Sequence, residues 1–231
     1  MSLSALPLER ASASPILLPP TELDALRVSL QGSILTPEDG FQDAARTWAL
    51  GVQHLPALVV LPESAEDIAI TVTFAHMHGF GVAFQGTGHG ATIPCHGGIL
   101  INTSRMQGVT IDPEARTAHV EAGVKWISVL PLAAEHGLAP LCGSSGDVGV
   151  VGYTLGGGTG WLARKYGFAA DRVIASDVVT ATGEMLHVTA NEHADLFWAL
   201  RGGSGNFGVV TALEFELVPV ETVFGGTVFS R

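Results

Sequence analysis

The chain of 231 residues carries 22 acidic against 11 basic side chains, a net charge of -11, and 29 glycines, where average usage would supply about 16. With 47% hydrophobic and only 14% charged residues, it can bury a sizeable core, which excludes disorder and collagen. The acid excess argues against a nucleic-acid or anionic-membrane partner, since both need concentrated positive charge.

Cys95 and Cys142 form neither a CxxC pair nor a disulfide framework. The first twenty residues combine Glu9, Arg10 and prolines without a continuous apolar stretch, and no apolar run reaches membrane-spanning length. A soluble, cytoplasmic protein is expected.

In chain order, the proline-rich start reads as a flexible arm. Residues 58–61 form a short apolar strand that stops at Pro62. Ser64 then caps an amphipathic helix running to about His78, with Glu66 and Asp67 in its first turn. Residues 81–85 are a second strand, completing a strand-helix-strand unit whose following loop is a usual ligand position. Strands follow over 99–102, 109–112 and 117–121, with Asp112-Pro113 as a turn, and then a helix over 125–136 that ends at Gly137. A helical turn is expected over 148–155. The last third reads as strand (173–181), turn at Thr182-Gly183, strand (184–189), helix (192–200) and strand (209–218). The class is therefore α+β.

Of the 29 glycines, 23 fall within 79–108, 137–167 and 183–208. Gln85-Gly-Thr-Gly-His-Gly90 is a strand emptying into a loop of alternating glycines, which lets backbone N–H groups turn inward as an anion nest. Neither this loop nor 141–163 holds a lysine or arginine. A diphosphate would thus be held by N–H groups and by helix N-termini such as that opened by Ser144, Ser145 and Asp147. Gly156-Gly-Gly-Thr-Gly160 would let a flat ring approach the backbone, so a ligand with both a diphosphate and an aromatic ring is implied.

Spacing and context weigh against other chemistry. Gly203-Ser-Gly-Asn-Phe-Gly208 matches GxGxxG and Gly158-Thr-Gly-Trp-Leu-Ala163 its alanine variant, but a nicotinamide-binding Rossmann site needs strand before and helix after. Gly203 has the reverse order. No GxSxG elbow and no Walker lysine is present. No metal site is expected, and His54, His119, His136, His187 and His193 read as surface or helix-end residues.

The order Gln85-Gly-Thr-Gly-His-Gly, Ile101-Asn-Thr-Ser-Arg-Met106, Val148-Gly-Val-Val-Gly-Tyr-Thr-Leu-Gly-Gly-Gly158 with Gly160, Lys165-Tyr-Gly-Phe-Ala-Ala-Asp171, and Asp195-Leu-Phe-Trp-Ala-Leu-Arg-Gly-Gly203 on to Thr211 resembles the FAD-binding (PCMH-type) domain of the vanillyl-alcohol oxidase superfamily, berberine-bridge-enzyme type. The resemblance implies a two-subdomain α+β module: an N-terminal arm and the start of the module over 1–50, the FAD-binding domain over 51–220, and the start of a substrate domain over 221–231. The rest of that substrate domain, with the catalytic base, is expected outside this chain.

By the same resemblance, FAD lies on Gln85, Gly86, Thr87, Gly88, His89, Gly90 and Ala91, on Ser104, and on Ser145, Asp147, Val148, Gly149, Gly152 and Tyr153. Gly157, Gly158, Gly160, Gly205, Asn206, Gly208 and Val210 complete the set. His89 stands at the family's covalent 8α-histidyl position. The family's second tether, a cysteine, is replaced by Ser145, with Cys142 three residues further upstream, so a single tether is expected. Tyr153 replaces a histidine, and Val148 matches the small residue associated with oxygen access. The implied activity is that of an oxidase: hydride from an alcohol or sugar-type substrate to covalent FAD, with O2 as acceptor and H2O2 as product. The alternatives are a non-catalytic flavin-binding module and, behind it, the nicotinamide enzyme.

Overall fold

The computed structural model describes residues 19–220 and 222–223. The proline-rich arm up to residue 18 and, apart from 222 and 223, the segment 221–231 lie outside the described residues.

Two sheets organise the chain. The first contains β1 (Ser33–Leu35), β2 (Leu58–Leu61), β3 (Val82–Gln85) and β4 (Ile99–Asn102) in the order β1-β2-β4-β3. β4 runs parallel to both β2 and β3, and β1 is antiparallel to β2. Parallel pairs need a crossover, and α2 (Ala65–His78) supplies it. The Ser64 hydroxyl accepts the Asp67 N–H at 3.2 Å, and Gly79 at φ +72° closes the other end. Because both faces of this sheet are covered, β2 and β4 read as unbroken apolar runs and are buried throughout.

The second sheet is antiparallel, in the order β5-β6-β10-β8-β9. Its strands are β5 (Val109–Asp112), β6 (Thr117–Glu121), β8 (Val173–Val179), β9 (Met185–Thr189) and β10 (Val209–Glu216). Its inner face packs on α3 (Trp126–Ala134), α4 (Val150–Leu155) and α6 (Ala194–Gly203), around Trp126, Leu200 and Leu213. Val179 and Val209, on β8 and β10, instead join the core of the parallel sheet beside Ile68, Ile99 and Ile101. The two subdomains therefore share buried apolar surface.

Two expectations are corrected. The chain from Pro20 is not an arm: α1 (Pro20–Ser29) packs on α2 through Leu26, followed by β1. The strand expected over 209–218 breaks at Leu217, and β11 (Val218–Pro219) pairs instead with β7 (Leu138–Ala139). Residues 163–166, to which no element was assigned from the sequence, form the single turn α5 (Ala163–Tyr166). Among the described residues no helix is long and apolar enough to cross a membrane.

Candidate functional site

Where β3 ends, the chain enters the loop of alternating glycines, and this loop meets the start of α4 and the turn after α6 around one cavity of about 490 Å³, within the ordinary range for a cofactor site. Gln85 is fixed from below. The Cys95 N–H donates to His54 Nδ1 at 2.8 Å, so the His54 proton sits on Nε2, 3.1 Å from Gln85 Oε1. The Gln85 amide then donates to the Arg46 carbonyl at 3.0 Å. This chain of bonds orients the first glycine loop from two segments remote in sequence. Gly88, at φ +72° and with Thr47 Cα 2.9 Å from where a Cβ would lie, has no room for a side chain.

The opposite wall is the start of α4. The Gly149 N–H reaches Thr87 Oγ1 at 3.4 Å and the Val150 N–H reaches the Val124 carbonyl at 2.9 Å. The next two N–H groups, of Val151 and Gly152, have no intrahelical acceptor, and both residues line the cavity. No lysine or arginine lines it.

His89 is held in this cavity on two sides. Its ring stacks on Trp48, with centroids 4.2 Å apart and planes at 16°. Its Nε2 lies 3.2 Å from Asp147 Oδ2, a contact that is short but not aligned as a hydrogen bond. The Ser145 hydroxyl donates to the other oxygen of Asp147 at 2.5 Å. That bond, with a smaller pull from His89, holds the Asp147 carboxyl below the usual carboxylate range. Tyr153 meets the edge of Trp126, and burial pushes its phenol up. Burial likewise pushes up the thiol of Cys142, which does not line the cavity.

The cavity gathers Gln85, Gly86, Thr87, Gly88, His89, Gly90 and Ala91 from the first loop, Val148, Gly149, Gly152 and Tyr153 from the second, and Gly205 and Val210 from the third. The remaining candidates stand elsewhere. Ser104 is exposed and turned away, its N–H on Asn102 Oδ1 at 2.9 Å, while its neighbour Thr103 lines the cavity. Ser145 and Asp147 reach the site only through His89. Gly157 is outside the cavity in open space, and Gly158 and Gly160 pack against Tyr153 and the Cys142 carbonyl. Asn206 and Gly208 line a neighbouring hollow of about 390 Å³ behind Phe84.

Sequence reasoning missed His54, Phe84, Ile93, Thr103 and Ser204, which also line the cavity. His54, read as a surface residue, is buried. Its signal was its place in an apolar segment just before β2. Among the described residues no group of three or more His, Cys, Asp or Glu is placed to hold a metal ion.

The site suits a flavin dinucleotide. A Cβ at Gly90 or Gly152 would meet open space, so the missing side chains leave volume for a ligand. His89 Nε2 and Tyr153 Oη are buried without a hydrogen-bond partner. The donors facing the cavity suit an anion held by backbone dipoles.

Comparison with known proteins agrees. Residues 56–189 match the FAD binding domain family. (R)-6-hydroxynicotine oxidase of Paenarthrobacter nicotinovorans is 35% identical over 196 residues, covering 84% of this chain and 43% of that protein. The FAD-linked oxidoreductase pgmH of Aspergillus terreus is also 35% identical, over 90% of this chain and 44% of its own length. Glucooligosaccharide oxidase from Acremonium strictum, described with a 6-S-cysteinyl, 8α-N1-histidyl FAD, superposes with a TM-score of 0.78 at 29% identity, over 85% of this chain and 42% of that one. The chain thus spans less than half the length of the curated relatives it matches. Glycine loops that converge on one lysine-free cavity and a family match spanning the first two of those loops lead to one conclusion: the chain belongs to the FAD-binding domain family.

Proposed function

We propose that this chain is the flavin-holding part of an FAD-linked oxidase in which His89 carries the cofactor covalently. The observation that carries the reading is the cavity itself, with His89 clamped between Trp48 and Asp147 beside a glycine loop. The bound flavin would accept hydride from substrate and pass the electrons to dioxygen, giving peroxide. The residues of this chain bind, orient and exclude water. Gly86, Gly88, Gly90 and the N–H groups at the start of α4, which line the cavity, would hold the diphosphate. Leu155 and Val210 add apolar lining. Val148, which lines the cavity, stands at the position that the resemblance associates with oxygen access.

The base for a substrate hydroxyl, which the resemblance puts in a substrate domain, is proposed to lie outside the described residues. An alcohol or sugar-type substrate is supported by the oligosaccharide oxidases among the structural relatives. The hydroxynicotine oxidase adds an alkaloid amine to the panel worth testing.

The full-length protein is expected to be yellow, with colour that survives acid precipitation and an intact mass that includes one FAD. His89→Ala should leave the protein yellow but release its FAD in acid. A colourless protein that cannot be reconstituted with FAD would overturn the reading. Acid-stable colour in His89→Ala would move the tether elsewhere. The second reading, a flavin module without turnover, predicts full flavin loading but no peroxide from any alcohol, sugar or amine.

A further inference from the structure

We propose that Asp147, braced by Ser145, is a positioning residue for covalent attachment: it engages His89 at Nε2 and leaves Nδ1 as the nitrogen that bonds the flavin methyl carbon. The inference rests on His89 being the tether.

A neutral imidazole has one N–H and one lone pair, and the partner of one nitrogen decides which is which. Asp147 is the only acid among the described residues within ion-pair reach of His89, and it lies on the Nε2 side, 3.2 Å away. Nε2 is buried and makes no aligned hydrogen bond, so among the described residues the Asp147 carboxylate is the charged group placed to engage it. Trp48 fixes the ring plane from one face. The ring therefore has one nitrogen 3.2 Å from a carboxylate oxygen and one left for chemistry. The off-line approach of Nε2 and Oδ2 does not count against the pairing, since such hydrogen bonds often tighten only when the ligand is seated.

Ser145 gives the arrangement its second support. It stands at the position where the doubly tethered members of the resembling family carry cysteine, and here its hydroxyl is spent on Asp147 at 2.5 Å. A side chain that would otherwise bond the cofactor instead aims the carboxylate that orients the remaining tether. That hydrogen bond also holds the Asp147 carboxyl below its usual range, which favours the anion that would offset an imidazolium.

The step balances as flavin methyl, neutral imidazole and dioxygen giving the alkyl-imidazole and hydrogen peroxide. One C–N bond forms at Nδ1 and one methyl C–H bond breaks. The imidazole proton leaves by way of Asp147, and two electrons and two protons end on dioxygen.

The test uses the full-length protein produced without flavin and then given FAD, with covalent attachment followed by intact mass and acid precipitation. In Asp147→Asn, FAD should still bind and colour the protein, but attachment should slow on the order of a hundredfold, the scale of a lost proton-transfer partner. Asp147→Glu should restore much of the rate, and Ser145→Ala should fall between. Mapping of the flavin peptide should place the bond at Nδ1. Attachment at the wild-type rate in Asp147→Asn, or a bond at Nε2, would overturn the inference while leaving the tether reading intact. Loss of all FAD binding in Asp147→Asn would also overturn it, as a purely structural role. Acid-labile colour in the wild type would overturn the tether reading and the inference together.

Discussion

Gly152 and Gly160 belong to one glycine-rich stretch yet answer to different neighbours. A Cβ at Gly160 would lie 2.0 Å from the Cys142 carbonyl oxygen, where backbone meets backbone and neither can yield. Gly160→Ala should therefore cost about 3 kcal/mol, typical of overpacking against an immobile group, seen as a lower urea midpoint. A Cβ at Gly152 meets nothing within 4 Å and would enter the cavity. Gly152→Ala should leave stability unchanged or raise it by about 0.5 kcal/mol through helix propensity, while weakening FAD about tenfold or more, the scale of one misplaced methyl group. Titration in the His89→Ala background, where binding is reversible, reads this directly. Equal loss of stability in both variants would contradict the assignment. The sequence shows two equivalent glycines because spacing reports backbone freedom, whereas the difference lies in Cys142 and Tyr153, brought there by the fold. The same limit explains Ser104 and Thr103. The segment was legible, but which of two adjacent side chains faces inward depends on the twist that leaves β4.

At the scale of elements, local signals carried far. β2, α2 and the strands over 99–121 lie where their patterns placed them, since Ser64, Gly79 and Asp112-Pro113 act through backbone rules that need no distant partner. α1 and β1 were hidden because their reason is tertiary. Leu26 and Leu30 complete the α2 face, and Pro20, which suggested looseness, is well suited to a first helical turn. Asp67 shows how the link is made. Read as a first-turn acid, it is 1% exposed and accepts the N–H groups of Gln31, Gly32 and Glu63 at 2.8, 2.9 and 2.9 Å. Asp67→Ala would strand these donors, and a loss of about 3 kcal/mol is expected, since buried donors without partners cost about 1–3 kcal/mol each and water will recover part. Hydrogen exchange should speed up first in β1 and at Gln31 and Gly32. Unchanged exchange there would show that β1 is held by its strand pairing alone.

Over the whole molecule, Val179 and Val209 tie the antiparallel sheet into the core of the parallel one, so the cavity between the subdomains is bounded by a single cooperative body. This explains the limits of the site's legibility. Its glycine loops announced themselves, but His54 and Ser204 reach it from separate parts of the chain, and Phe84 and Ile93 flank the first loop outside its motif. The cavity's lack of lysine and arginine also has a kinetic consequence. A cradle of basic side chains draws in an anionic dinucleotide from a distance and loses that pull as ionic strength rises. Here a protein of net charge -11 repels the incoming diphosphate at long range, while the N–H dipoles that receive it act only at contact. Raising salt from about 10 to 300 mM shortens the Debye length from about 30 Å to below 8 Å. In stopped flow with the His89→Ala protein, FAD should therefore associate faster at high ionic strength, with dissociation little changed.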